Sequence, residues 1–433
     1  MLYSPEFSLD KYEVSLRNGF LPDALPLQRL PNPYYDPWEN VAQELVARIH
    51  EGTIRDDVER LPVLSTSELQ TKPEWRRAYV VLAYLTHAYV WGGETPKDIL
   101  PPSISVPFLE VAEHLELPPC ATYAGLNLWN YSTTSPNADL TCVDNLSVTL
   151  SLTGTKDEEW FFMISVAMEA RGAQVIQLML DTIQAVTVDD HQRVAAYLNQ
   201  IGEGFHELSR ILERMYEKCR PAVFFHQLRP YLAGSKNMAS AGLPSGLFYD
   251  IGDGKGEWRQ YSGGSNAQSS LIQTFDVFLG VEHSAMGSPT KAELPKAQPM
   301  GKTPYIQEMR NYMPGPHRRF LEMLTRSSNV REFAMACKLG SSVRDAYNSA
   351  VMSLGSFRDK HIQIVARYII MAAKLPPPES APARLNLATS TYTQMKNSNE
   401  KVSAGLSGTG GTDLIPFLKQ TRDATKAAAN YAG

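Results

Sequence analysis

The run VRDAYNSAVMSLGSFRDKHIQIVARYIIMAA, residues 343–373, decides how this chain is read. Tyr347, Val351, Leu354, Arg358, His361, Val365 and Tyr368 recur at intervals of three and four, the spacing of one face of an α-helix. The period predicts a helix with His361 in the middle of an apolar face and Arg358 one turn before it. A hydrogen-bonded core imidazole is the common occupant of such a place. The competing reading is an axial haem ligand, because a neutral imidazole on a rigid helix suits iron and an adjacent arginine can pair with a haem propionate. Spacing alone leaves both open.

Outward from that run the helical period dominates. Residues 37–115 are mostly helical, with Val41, Leu45, Val46 and Ile49 three and four apart and an apolar-periodic run over 75–91. Further helices are predicted at 158–185, 189–218, 222–232, 267–282, 305–311, 317–327 and 328–337. Residues 131–155 differ: Leu146, Val148, Leu150 and Leu152 alternate with Ser147, Thr149 and Ser151, the period of a half-buried strand or hairpin. This stretch is the expected junction between a small domain at 1–155 and a larger one at 156–433. A second hairpin is expected where Leu247-Phe248-Tyr249 and Trp258-Arg259-Gln260-Tyr261 flank a glycine-rich turn at 252–256. The long loops at 284–303 and 376–407 have the length of lids or unstructured segments. The expected fold class is all-α with minor β-hairpins.

Composition narrows the function. The 433 residues carry 41 basic and 46 acidic side chains, a net charge of -5, which provides no basic excess for a nucleic-acid backbone. Cys120, Cys142, Cys219 and Cys337 are far apart and form no CxxC pair, so neither a disulfide framework nor a zinc cluster is suggested. No stretch reaches the roughly 18 apolar residues of a spanning helix, and the N-terminus carries acids where a signal peptide would have a basic and then apolar run. The expectation is a cytoplasmic protein with no nucleic-acid or membrane partner.

Four more stretches could carry chemistry. Ser262-Gly263-Gly264-Ser265-Asn266-Ala267-Gln268-Ser269-Ser270 has adjacent glycines that let backbone approach a ligand and aim N–H groups at an oxygen. It lacks the lysine of a P-loop, and a glycine turn with serine capping explains it equally well. Ser407-Gly408-Thr409-Gly410-Gly411-Thr412-Asp413 ends the second long loop ahead of a helix at 414–419; it reads as ordinary capping or as the hinge of a lid. Residues 160–169 place Ser165 amid aromatic and aliphatic neighbours, and 224–229 place Arg229 one turn after Phe224-Phe225. Such aromatics are plain core or a pocket, and a buried hydroxyl or guanidinium there requires a partner.

Taken in order, these words resemble the indoleamine 2,3-dioxygenase family over most of the chain. The resemblance rests on Ser262-Gly263-Gly264-Ser265 with Gln268-Ser269-Ser270 and Phe275-Asp276-Val277. It rests equally on Arg310 followed by Tyr312-Met313-Pro314 and His317-Arg318, on His361 with Gln363-Ile364-Val365, and on Gly408 through Leu414. It implies a small helical domain packed on a larger helical domain that holds haem b. His361 would then be the iron ligand, Arg358 a propionate partner and Asp276 a support on the proximal-histidine side. Tyr123, Phe161, Ser165 and Phe224 would line the indole pocket and Arg229 would bind the substrate carboxylate. Gly264, Ser265 and Thr409 would surround the substrate amino acid and the haem propionate, with Ser165, Gly264 and Ser265 nearest the chemistry.

The activity so implied is cleavage of the indole C2–C3 bond of L-tryptophan with O2, giving N-formylkynurenine, the first step of the kynurenine route. An electron donor would keep the iron ferrous, and a monomer is the default. The alternatives are a haem-binding regulatory paralogue with little turnover and a helical scaffold without haem. Asn266, where mammalian members have a small residue, and Ser235, where they have an aromatic, are expected to weaken tryptophan binding. The 284–303 segment is longer than in mammalian relatives.

Overall fold

The computed structural model describes residues 8–283, 305–379 and 414–429. Its longer helices are α1 (Lys72–Trp91), α2 (Pro102–His114), α3 (Lys156–Thr187), α4 (His191–Glu213), α5 (Ser270–Phe278), α6 (Gly315–Ser327), α7 (Ser342–Val365) and α8 (Leu414–Ala428). The sequence supplies their starts. Thr155 Oγ1 accepts the N–H of Glu158 at 3.2 Å to open α3, and Asp157, Glu158 and Glu159 place acids in its positive first turn. Ser341 caps α7 the same way through the N–H of Arg344.

Helix α4 lies between α3 and α7 and buries Val194, Leu198, Ile201, Phe205, Leu208 and Leu212, a stripe at intervals of three and four. Gly202 allows the close approach: a Cβ there would stand 3.7 Å from the Ala350 Cα and 3.5 Å from Ser353 Oγ. Helix α1 is buried all round from Arg77 to Trp91, as expected of a central helix. Within it Arg77 grips Glu39 at 2.9 and 2.7 Å, both side chains 2% exposed. Helix α8 runs along α7, tied by Lys426 and Arg422 to Asp359 at 2.7 and 3.2 Å.

Small sheets complete the frame. Strand β1 (Ile99–Leu100) pairs in parallel with β4 (Leu247–Gly252), which forms the expected hairpin with β5 (Lys255–Arg259), Phe248 opposite Trp258. Strands β2 (Tyr131–Thr133) and β3 (Leu146–Val148) form a separate antiparallel pair. The alternation over 146–152 therefore yields a shorter strand than its length suggests. Beyond Val148, the Asn130 amide takes both the N–H and the C=O of Leu150 at 2.8 and 2.9 Å, and Glu158 takes the N–H groups of Leu152 and Thr153. Side chains replace the ladder.

Two predicted helices break where the backbone chemistry requires. The 222–232 stretch becomes a short helix (Pro221–Val223), a wide π-turn (Phe224–Leu228) and a 3₁₀ turn (Arg229–Leu232), since Pro230 has no N–H to continue the helix. The 343–373 stretch is α-helical only to Val365 and then opens into a second π-turn (Ala366–Met371). There Tyr368 Oη lies 2.9 Å from the Met215 carbonyl and 2.6 Å from that of Cys219. The four cysteines are free. No helix among the described residues is long and apolar enough to cross a membrane.

Candidate functional site

Phe161, Ser165, Met168 and Glu169 lie at intervals of four, three and one along α3, so they share one face, and that face is one wall of a cavity of about 240 Å³. A third π-turn, Ala124–Leu128, follows Tyr123 and adds Leu126 and Asn127. The loop between β5 and α5 contributes Gly264, Ser265, Asn266 and Ser269. Helix α7 closes the opposite side with Phe357, Arg358, His361 and Val365, while Tyr305 and Phe417 meet edge to face at 5.0 Å across the remaining gap. All three π-turns border this cavity, through Asn127, Phe224 and Tyr368. Wide turns of this kind recur at functional sites because the extra residue re-aims side chains.

The walls are mostly aromatic. Phe161 and Phe224 pack at 4.9 Å and 55°, and Phe224 meets Tyr368 at 5.7 Å and 88°. Beside these rings the chain places the buried guanidinium of Arg229, 5.5 Å from the Phe225 ring centroid. Burial lowers the pKa of Arg229 to about 10, which still leaves it charged at neutral pH. Burial, with the neighbouring charge of Arg358, pulls His361 down to about 4, so its imidazole is neutral and keeps a lone pair. A flat aromatic molecule with an anionic end suits such a lining.

Two carboxyls flank the site. Burial acts to raise Asp276, and the charge of Arg358 together with His283 outweighs it, so its pKa falls below the ordinary range. Arg358 Nη2 lies 2.6 and 2.8 Å from the two Asp276 oxygens, its Nη1 donates to the Thr421 carbonyl at 3.0 Å, and His283 Nε2 stands 2.9 Å from Asp276. Glu169 has no such cation among the described residues. Burial lifts it to about 7, against the opposing hydroxyls of Ser269 and Tyr123, which donate to its Oε1 at 2.8 and 2.9 Å.

The glycine loop is held by close backbone contact and by amides. A Cβ on Gly263 would stand 2.1 Å from the Leu232 carbonyl oxygen, and one on Gly264 2.4 Å from the Leu126 side chain. Gln268 ties the loop to the opposite turn: its Oε1 accepts the N–H of Tyr123 at 2.9 Å and its Nε2 donates to the Gly263 carbonyl at 2.9 Å. On α1, His87 bridges Tyr231 and Ala121; its Nδ1 lies 2.6 Å from the Tyr231 carbonyl and its Nε2 accepts the N–H of Ala121 at 3.0 Å. The buried central helix thus sets the spacing between the arginine turn and the tyrosine turn.

Tyr123, Phe161, Ser165, Phe224, Arg229, Gly264, Ser265, Arg358 and His361 all line this one cavity. Asp276 is not on its wall and reaches it only through Arg358. Thr409 and the rest of 407–413 lie outside the described residues. Asn266 is on the wall, whereas Ser235 is not. Ser235 is buried at the crossing of two backbone segments, its N–H bonded to the Tyr261 carbonyl at 2.8 Å, so it cannot weaken a ligand by contact. Sequence reading did not single out Glu169, Asn127 or Tyr305, and it took Gln268 only as part of a motif. Glu169 sits four residues after Ser165, and that interval was the available signal.

A bare ion does not fit here, since among the described residues no three His, Cys, Asp or Glu side chains gather to hold one. A metal carried in a macrocycle needs one axial donor and an apolar slot, and a neutral His361 facing aromatic walls fits that need. Buried Asn127 Oδ1 and Glu169 Oε2 have no hydrogen-bond partner among the described residues, as at a site that works with a ligand.

The profile of the family described as indoleamine 2,3-dioxygenase matches residues 8–428. An indoleamine 2,3-dioxygenase of Penicillium citrinum is 42% identical, the match covering 99% of this chain and 90% of that protein. One of Saccharomyces cerevisiae is 38% identical over 98% of this chain and 94% of its own. A 6-hydroxytryptophan 2,3-dioxygenase of Fusarium equiseti is 36% identical over 96% of each.

Proposed function

From the premise that this chain belongs to the indoleamine 2,3-dioxygenase family, and so is a tryptophan-oxidising dioxygenase, we propose that its substrate is L-tryptophan. The indole C2–C3 bond is cleaved with O2 to N-formylkynurenine, the first step of the kynurenine route. The observation that carries the reading is the neutral imidazole of His361 in the same cavity as Arg229 and the aromatic wall. The family is haem-dependent; here His361 would hold the iron, with Arg358 beside it. When bound, ferrous haem supplies the activation of dioxygen.

The protein's own part is binding and orientation. Phe161, Phe224 and Tyr123 take the flat ring, and Arg229 takes the carboxylate in a desolvated, charge-assisted pair. Gly264 and Ser265 bring backbone and a hydroxyl close to the amino-acid end. Ser165 is the hydroxyl of the α3 aromatic face and tunes the reaction without being required as a base. The largely apolar walls disfavour water, and holding both reactants in one geometry lowers the entropic part of the barrier.

The test is turnover of L-tryptophan by the haem-loaded protein with ascorbate and methylene blue, read as N-formylkynurenine absorbance, with 6-hydroxytryptophan in parallel. Product from L-tryptophan at the higher kcat/KM is expected. A preference for the hydroxylated substrate would replace the proposed substrate, and no product from either, despite bound haem, would favour a haem-binding regulator.

A further inference from the structure

Glu169 is 1% exposed, lies on the cavity wall and has no positive partner among the described residues. Its Oε1 accepts two hydroxyls from two different elements: Tyr123 at 2.9 Å, at the start of the π-turn, and Ser269 at 2.8 Å, at the end of the glycine loop. Its Oε2 has no partner among the described residues. The same two elements are joined a second time by Gln268, so the turn and the loop form one unit, tied to α3 through this carboxyl.

Among the described residues the surroundings carry no compensating charge. Tyr123 is the titratable group facing Glu169 from the turn, and its phenol is pushed far up by burial beside that carboxyl. The loop offers the Ser269 hydroxyl. Gly19, whose added Cβ would stand 3.0 Å from the Glu169 backbone carbonyl, packs from the N-terminal segment without a side chain. On α3 itself the nearest charge, Arg171, is turned to Glu207 of α4.

We propose that Glu169 is a positioning residue for the dioxygenase reaction: one buried carboxyl oxygen holds the Tyr123 ring and the Ser269 end of the glycine loop against α3 and so sets the width of the substrate slot. The inference rests on the dioxygenase reading above. A carboxylate holds hydroxyls through charge-assisted bonds about twice as strong as those of a neutral acid. The slot is therefore tight when Glu169 is ionised and looser when it is protonated, and burial places that exchange near neutrality.

The experiment compares wild type with Glu169→Gln, Ser269→Ala and Tyr123→Phe, all haem-loaded, across a pH series spanning neutrality. Glutamine keeps an acceptor oxygen of the same reach and removes the titration. The expected wild-type kcat/KM for L-tryptophan rises through one ionisation near neutral pH. Glu169→Gln stays at the acid limit throughout, its KM raised on the order of tenfold above neutrality and its haem content unchanged. Ser269→Ala and Tyr123→Phe each keep the ionisation and move it upward, because a hydroxyl that favours the carboxylate is gone.

A readout independent of turnover is the infrared band of the protonated carboxyl, present on the acid side in wild type and absent in Glu169→Gln. Wild-type KM and pH profile in Glu169→Gln would overturn the proposal. Loss of haem in that variant, with normal KM in the fraction retaining it, would also overturn it by assigning Glu169 to the cofactor. No indole turnover by wild type, with the infrared titration intact, would overturn the dioxygenase reading and with it the positioning role.

Discussion

Asp276 and Glu169 are buried carboxyls serving one cavity from opposite sides, and they differ in what surrounds them. On the α7 side Asp276 meets Arg358 and His283 and is held ionised, below its ordinary range. On the α3 side Glu169 meets hydroxyls alone and is raised to about 7. Burial penalises charge in both places; the cation decides the sign. The lesson is that the α7 wall is an electrostatically closed support and the α3 wall is left responsive.

The largest expected effect breaks the α7 side altogether. His361→Ala is expected to abolish stable haem binding and turnover, checked by the Soret band after reconstitution, because the cavity offers no second nitrogen ligand among its described lining. Next, Asp276→Asn leaves the Arg358 guanidinium buried against a neutral amide and should cost about 4 kcal/mol in urea unfolding. Stability from Asp276 is present above its unfolded pKa of about 3.9 and lost as pH falls through its lower folded pKa.

Glu169 has the opposite sign, which sharpens the comparison. Its folded pKa lies above its unfolded one, so its contribution is full in acid and lost as pH rises from 4.5 to about 7. Glu169→Gln should match wild type in acid and exceed it above neutrality by at most about 3 kcal/mol, read as a pH-dependent difference in Tm. A variant stabilised equally at every pH would mean the carboxyl is not the source. Arg229→Ala should raise the KM for L-tryptophan roughly thirtyfold, about 2 kcal/mol, with the haem spectrum intact. The smallest effect falls on Asn266, which lines the cavity from the glycine loop. Asn266→Ala should lower that KM about threefold, while Ser235→Ala, away from the wall, should leave it unchanged.

Much of this was legible from residues alone, unevenly so. The three-and-four spacing of 343–373 placed His361 and Arg358 on one face, and the face is the one that lines the cavity. The hairpin at 247–261 announced itself by its glycine turn. The parallel pairing of Ile99–Leu100 with β4 was not legible, since two residues carry no period and their partner lies about 150 positions away. Nor were the π-turns, whose inserted residue is indistinguishable from helix in a hydrophobic pattern until packing around Phe224 and Tyr368 is known.

The sequence by itself determined the helical class, the family and the residue types of the site, because periodicity and ordered motifs are local properties of a chain. Only the tertiary structure decided which groups share an environment. That Asp276 meets two potential cations while Glu169 meets two hydroxyls, and that Ser235 lies off the wall while Asn266 lies on it, depends on contacts between segments far apart in sequence. Ionisation and binding respond to such neighbours within a few ångströms, and no residue's identity carries that information.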